Sequence, residues 1–188
     1  MITRTRILAI GALLAVTVFL GAAETTRHSG EWATLFTEPF INAEGKGVDL
    51  RLKDKLVALY FGNAWDPASI AFTAKLQTFH AACREHIEII YISFDRTSAQ
   101  QLQTMKTFTV PWLSVPLGGA DDKRVKIRFA TQRFPALLVF DPDGGLLTME
   151  GRMDVEFHPE NAILKWVNII QDVTAKKLEA AQKRTLGK

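Results

Sequence analysis

One stretch of the chain has no polar face at all. From Ile7 to Ala23 the sequence reads ILAIGALLAVTVFLGAA, with Arg4 and Arg6 before it and Glu24, Thr25 and Thr26 after it. A helix rises ~1.5 Å per residue, so this run sits at the lower edge of what crosses the ~30 Å hydrocarbon layer of a bilayer. Gly21 and Ala23 also supply the small-x-small pattern of a cleavage site. Residues 1–23 are therefore expected to be a signal peptide or a retained signal anchor, with membrane contact through residues 7–23. Arginines on the leading side keep that end cytosolic, which places the following domain in the secretory lumen or outside the cell. The mitochondrial inner membrane is the alternative location.

Beyond the leader the periodicity changes from element to element. Leu56 to Gly62 and Ile87 to Phe94 are short, continuous apolar runs rich in β-branched and aromatic residues, the pattern of strands buried on both faces. Between them Phe72, Leu76, Phe79 and Cys83 recur at helical spacing, so strand, helix and strand predict a right-handed crossover with a parallel pair. Phe40 to Asn42 and Gly47 to Leu50 flank a turn-forming segment and predict a hairpin. Ala136 to Phe140 and Leu146 to Met149 predict another around Asp-Pro-Asp-Gly-Gly. Ser98 to Phe108 and Ala120 to Ala130 have helical character. A last helix is expected from Pro159 to about Lys183, with Ile163, Trp166 or Val167, Ile170 and Val173 on its apolar stripe. The order of elements describes an α/β domain with a mixed central sheet and helices on both faces, over residues 24–175, followed by a basic helical tail at 176–188.

Charge adds little to this picture once it is divided by position. The formal net charge is +3, but two of the basic residues lie in 1–23 and five in 176–188, where Glu179 is the only acid; the body between is mildly acidic. No nucleic-acid partner is expected from it. Cysteine changes more: Cys83 is the single cysteine of the 188 residues, which excludes an internal disulfide, a Cys-rich metal site and a C-x-x-C redox centre. His28, His80, His86 and His158 lack a ligand spacing, so neither a metal nor another cofactor is expected.

The segment YFGNAWDPASIAFTAKLQTFH, Tyr60 to His80, resembles the active-site segment of the tryparedoxin and nucleoredoxin branch of the thioredoxin superfamily. There a strand ends in W-C-P-P-C-R and a helix continues with F-T-P-x-L. Trp65, Pro67, Phe72, Thr73 and Leu76 carry the match. VPWLSVP, Val110 to Pro116, is similar to that branch's P-W-L-x-V-P segment, and Arg133-Phe134-Pro135 to the loop holding the superfamily's cis-proline. The resemblance covers roughly Trp32 to Val173 and implies a thioredoxin-like fold with a thiol-disulfide oxidoreductase activity.

The departures fall on the chemistry. Asp66 and Ser69 stand where the family has its cysteines, and Ile70 replaces the arginine that usually follows. Exchange requires a thiolate to attack sulfur and a second thiol to resolve the mixed disulfide. Cys83 lies 14 residues beyond Ser69 on the same predicted helix, ~21 Å along its axis, and reads as a buried structural cysteine. Asp66 followed by Pro67 at a strand-to-helix junction is the pattern of an N-cap with proline in the first turn. These degenerate positions leave no catalytic residue to name. The expectation is a redox-inactive, membrane-targeted domain that binds a protein or an extended peptide. It would serve as an accessory subunit of a membrane complex or as a peptide binder, with Trp65, Pro67, Trp112, Phe134 and Pro135 lining the groove. The alternative is the family's own thiol-disulfide oxidoreductase activity.

Overall fold

The computed structural model of the chain describes residues 30–131 and 133–186. The expected membrane segment at 7–23, the arginines ahead of it and His28 lie outside the described residues. Among those described, no helix is long and apolar enough to cross a membrane.

In chain order the elements are α1 (Glu31–Leu35), β1 (Phe40–Ile41), β2 (Gly47–Val48), β3 (Leu56–Gly62), α2 (Pro67–Cys83), β4 (Ile87–Ser93), α3 (Ser98–Thr107), β5 (Leu113–Ser114), α4 (Ala120–Phe129), β6 (Ala136–Phe140), β7 (Leu146–Thr148), α5 (Gly151–Phe157) and α6 (Pro159–Leu186). The strands form one sheet in the order β2-β1-β5-β4-β3-β6-β7. β3 and β4 pair in parallel from Leu56 opposite Ile87 to Gly62 opposite Ser93. β5 joins β4 in parallel, while β6 pairs antiparallel with β3 and β7 antiparallel with β6. The sheet is mixed, as the sequence order of elements requires.

Alternation along the central strands divides the core in two. Leu56, Ala58 and Tyr60 of β3, with Ile87, Ile89 and Tyr91 of β4, face the layer built by Phe72, Leu76 and Phe79 of α2 and Trp166 of α6. Val57, Leu59 and Phe61, with Ile90 and Ile92, face Trp32 and Leu35 of α1 and Val125 of α4. Both faces being covered explains why β3 reads as an unbroken apolar run.

Two helices have no counterpart in the sequence expectations. α1 has five residues and α5 seven, too few for a period to show. Tertiary contacts hold them instead. The Trp32 indole donates to Pro142 O at 2.9 Å. In α5, Asp154 accepts from Lys165 Nζ at 2.6 Å and from Trp166 Nε1 at 2.8 Å, binding the helix to α6. Gly151 is needed where α5 meets β6, because a Cβ there would lie 2.7 Å from Leu137 O. The expected hairpin at 40–50 forms with shorter strands, Phe40 opposite Val48 and Ile41 opposite Gly47. α6 is buried through Ala162 and Trp166, and from Gln171 to Arg184 its residues are exposed.

Candidate functional site

β3 ends at Gly62, and α2 begins at Pro67 after four intervening residues. The chain tightens here around Tyr60, whose hydroxyl bonds Ser69 O at 3.1 Å and Thr73 Oγ1 at 2.7 Å. A Cβ at Gly62 would sit 2.6 Å from that hydroxyl oxygen, so glycine leaves room for the phenol. Burial is the main cause that pushes the Tyr60 phenol up to about 12, with the Thr73 hydrogen bond opposing it. Asn63, at 2% exposure, turns its Oδ1 to accept the Asp66 backbone N–H at 2.8 Å. Ala64 N donates to Asp95 Oδ1 at 3.1 Å, tying the loop to the end of β4.

Asp66 then caps α2. Its carboxylate accepts from Ala68 N at 3.4 Å, Ser69 N at 3.0 Å and Ser69 Oγ at 2.8 Å. Partial desolvation acts to raise the carboxyl pKa. The bonds from Ser69 and Ala68, helped by the charge of Arg152, outweigh it and hold the group below the usual carboxylate range. Pro67 occupies the exposed first turn. Ser69 is 0% exposed and its hydroxyl is already donated to Asp66, so it is not placed to attack a substrate.

Cys83 sits in the last turn of α2, at the other end of the helix from Asp66. Its thiol points back to Phe79 O at 3.0 Å, and burial pushes its pKa up to about 11. Such a thiol is a poor nucleophile at neutral pH. Among the described residues no group of three His, Cys, Asp or Glu side chains is arranged to hold a metal ion.

The aromatic positions separate. Trp65 is 58% exposed, and its indole N–H reaches Phe94 O at 3.4 Å. Phe94 packs on Phe134 with ring centroids 4.3 Å apart, and Lys126 Nζ lies 4.4 Å from the Phe94 ring centroid. Phe134 precedes Pro135 through a cis peptide bond. Because Phe61 pairs with Ala136, that peptide lies level with the exit of β3. Trp65, Phe94, Phe134 and Pro135 thus share one end of the sheet. Trp112 does not join them as a surface group. It is 2% exposed, edge-on to Tyr60 at 5.8 Å and packed beside His80. Trp112, expected to line the groove, is instead a core residue just ahead of β5, packed with Phe72 and Leu76 of α2. On the far side of Trp65 a cleft of about 430 Å³ opens toward α3, lined by Trp65, Ile70, Asp95, Gln103, Thr107 and Phe108.

Residues 54–146 match the family model described as Thioredoxin-like. This thioredoxin-like domain has nucleoredoxin and tryparedoxin relatives, consistent with that branch. Human nucleoredoxin-like protein 1 is 31% identical over 119 residues, spanning 58% of this chain and 55% of that protein. Probable nucleoredoxin 2 of Oryza sativa subsp. japonica is 33% identical over 118 residues, or 60% of this chain and 29% of that protein. The match thus spans about half of one curated relative and under a third of the other. Tryparedoxin II from Crithidia fasciculata superposes with a TM-score of 0.61 at 25% identity, over 66% of this chain and 88% of that structure. A thioredoxin from Wuchereria bancrofti gives 0.60 at 28% identity, over 71% and 96%.

Several residues that shape this end of the thioredoxin-like domain carried no sequence assignment. Asn63 and Asp95 hold the loop, and their signal was faint: an amide and a carboxylate, each just past an apolar strand. Arg152, whose guanidinium carbon lies 6.0 Å from the Phe72 ring centroid, comes from α5, an element without a periodic signature.

Proposed function

We propose that this thioredoxin-like domain holds a protein partner and does not exchange disulfides. The observation that supports it is the N-terminus of α2. The Asp66 carboxylate takes up the free backbone donors there, and Ser69 lies buried against it, at the two positions where the resemblance places the family's thiols. A carboxylate keeps the negative charge that the helix dipole favours, but it cannot form a mixed disulfide. Cys83, buried in the last turn of α2, offers no substitute.

The neighbouring surface supports binding. An extended segment can pair with backbone beside Phe134 as an added strand, which needs an accessible edge and side-chain pockets but no cysteine. Trp65 stands exposed beside that edge. Membrane targeting through residues 7–23 makes an accessory subunit of a membrane complex, or a peptide-holding module, the form this binding takes.

The competing reading is thiol-disulfide oxidoreductase activity, which the family resemblance implies. Disulfide reduction coupled to a dithiol donor separates the two. The expected rate for the purified chain equals the uncatalysed background, and turnover above background that survives Cys83→Ser overturns the proposal. Recovery of one stoichiometric partner from detergent-solubilised native membranes is the positive result.

A further inference from the structure

Beneath the capped loop lies a small cavity of about 10 Å³ walled by Tyr60, Asn63, Thr73, Tyr91, Thr104 and Trp112, among others. Two of these walls carry buried donors with no acceptor among the described residues: Asn63 Nδ2 and Trp112 Nε1. The direction of the Asn63 amide is fixed by its other end. Oδ1 accepts the Asp66 N–H at 2.8 Å, so Nδ2 is the atom left over, and a flip would set two donors against each other. An orphaned buried donor forfeits the hydrogen bond that water gave it in the unfolded chain, and here there are two on one cavity. Their common need is a small acceptor.

The rest of the wall describes what that acceptor also requires. Thr104 Oγ1 donates to Gln100 O, and Tyr91 Oη donates toward Gly62 O and Asp95 Oδ2, so each hydroxyl oxygen retains lone pairs for a further donor. A ligand that accepts from an amide and an indole and donates to hydroxyl oxygens, in a space of about one probe sphere, has the chemistry and size of water.

We infer that a single long-lived water is bound between Asn63 and Trp112 beneath the α2 N-terminus. It supplies the partner that both donors lack and steadies the Asn63 amide, which in turn holds the Asp66 backbone N–H. Through Asn63 the hydration site acts on the loop that presents Trp65 and Asp66.

Two measurements on the unmodified chain test this. A crystal structure that resolves ordered buried waters should show a peak about 2.7–3.2 Å from both Asn63 Nδ2 and Trp112 Nε1. In solution, water-selective NOE spectra should show a slowly exchanging water at the Trp112 indole proton. The indoles of Trp32 and Trp166 are internal controls expected to be silent, because they donate to Pro142 O and to Asp154. A map with no peak at that site, or with Trp112 Nε1 bonded directly to a protein acceptor, overturns the inference. So does a Trp112 indole as silent as the two controls.

Discussion

Asp66 has a local structural duty, and in the proposed reading it also stands where a redox relative would carry a thiol. As an N-cap it satisfies donors that the first turn of a helix leaves open, a contribution of ~1 kcal/mol. Asp66→Ala should lower the unfolding free energy by about that amount in chemical denaturation, and Asp66→Asn by less, since an amide oxygen still accepts. Equal denaturation midpoints for Ala and wild type would remove the cap from the account. Because the folded carboxyl titrates below its ordinary value, its ionic share of stability is present above the unfolded pKa of 3.8 and is lost as pH falls through the folded value. Asp66→Asn should therefore flatten the acid limb of the stability profile. Trp65 and Trp112, equivalent in sequence terms, should behave as opposites. Trp112→Ala empties a packed core site and should cost ~3–5 kcal/mol in denaturation. Trp65→Ala should leave the fold intact yet weaken partner recovery from native membranes at least about tenfold, ~1.4 kcal/mol. Full recovery with Trp65→Ala, combined with loss on substitution of Lys176 and Lys177, would move the interface to the C-terminal helix.

Individual elements are held by different means. β3 and α2 are joined through Tyr60, whose hydroxyl bonds the Ser69 carbonyl and the Thr73 side chain. Burial raises its folded pKa from the ordinary 10.0 to about 12, so the stability it contributes is complete below pH 10 and is lost as pH rises from there toward 12. Cys83 and Tyr91 are raised in the same direction, so alkaline destabilisation is shared. Tyr60→Phe should remove its part, giving a shallower fall in urea-measured stability over that window; an unchanged slope would contradict the assignment. α5 depends on one carboxylate. Asp154→Ala strips the Trp166 indole of its acceptor inside the core and should cost ~1–3 kcal/mol, whereas Asp154→Asn keeps an oxygen for it and should cost less. Such short elements were illegible beforehand because a helix of seven residues completes two turns, and its stability comes from Asp154, Gly151 and the sheet beneath.

At the scale of the whole molecule, the sheet brings Trp65 from the exit of β3, Phe94 from the end of β4 and the cis Phe134–Pro135 peptide from the start of β6 to one end of the sheet. The basic α6 extends exposed from Gln171 to Arg184. The proposed membrane role is tested by fractionation: the chain should stay with membranes through alkaline carbonate washing, and mass spectrometry should find Arg4 in the mature protein if the anchor is retained. A native chain beginning at Glu24 in the soluble fraction would contradict the anchor.

Sequence by itself determined the central strands, the capped start of α2 and the family. Each depends on neighbours along the chain: the unbroken apolar runs, the Asp66-Pro67 pair, and the Phe72, Leu76, Phe79, Cys83 period. That Cys83 is the single cysteine of the 188 residues is likewise a matter of residue identity alone. The tertiary structure decided which aromatic residues face solvent. Trp65 and Trp112 both sit in matched motifs, but only the pairing of β5 with β4 shows that Trp112 turns under α2. It likewise brought Arg152 toward Asp66 and placed Asn63 and Trp112 on one cavity. Those relations join residues tens of positions apart, and no local pattern encodes them, because they exist only once the crossover and the sheet order have closed.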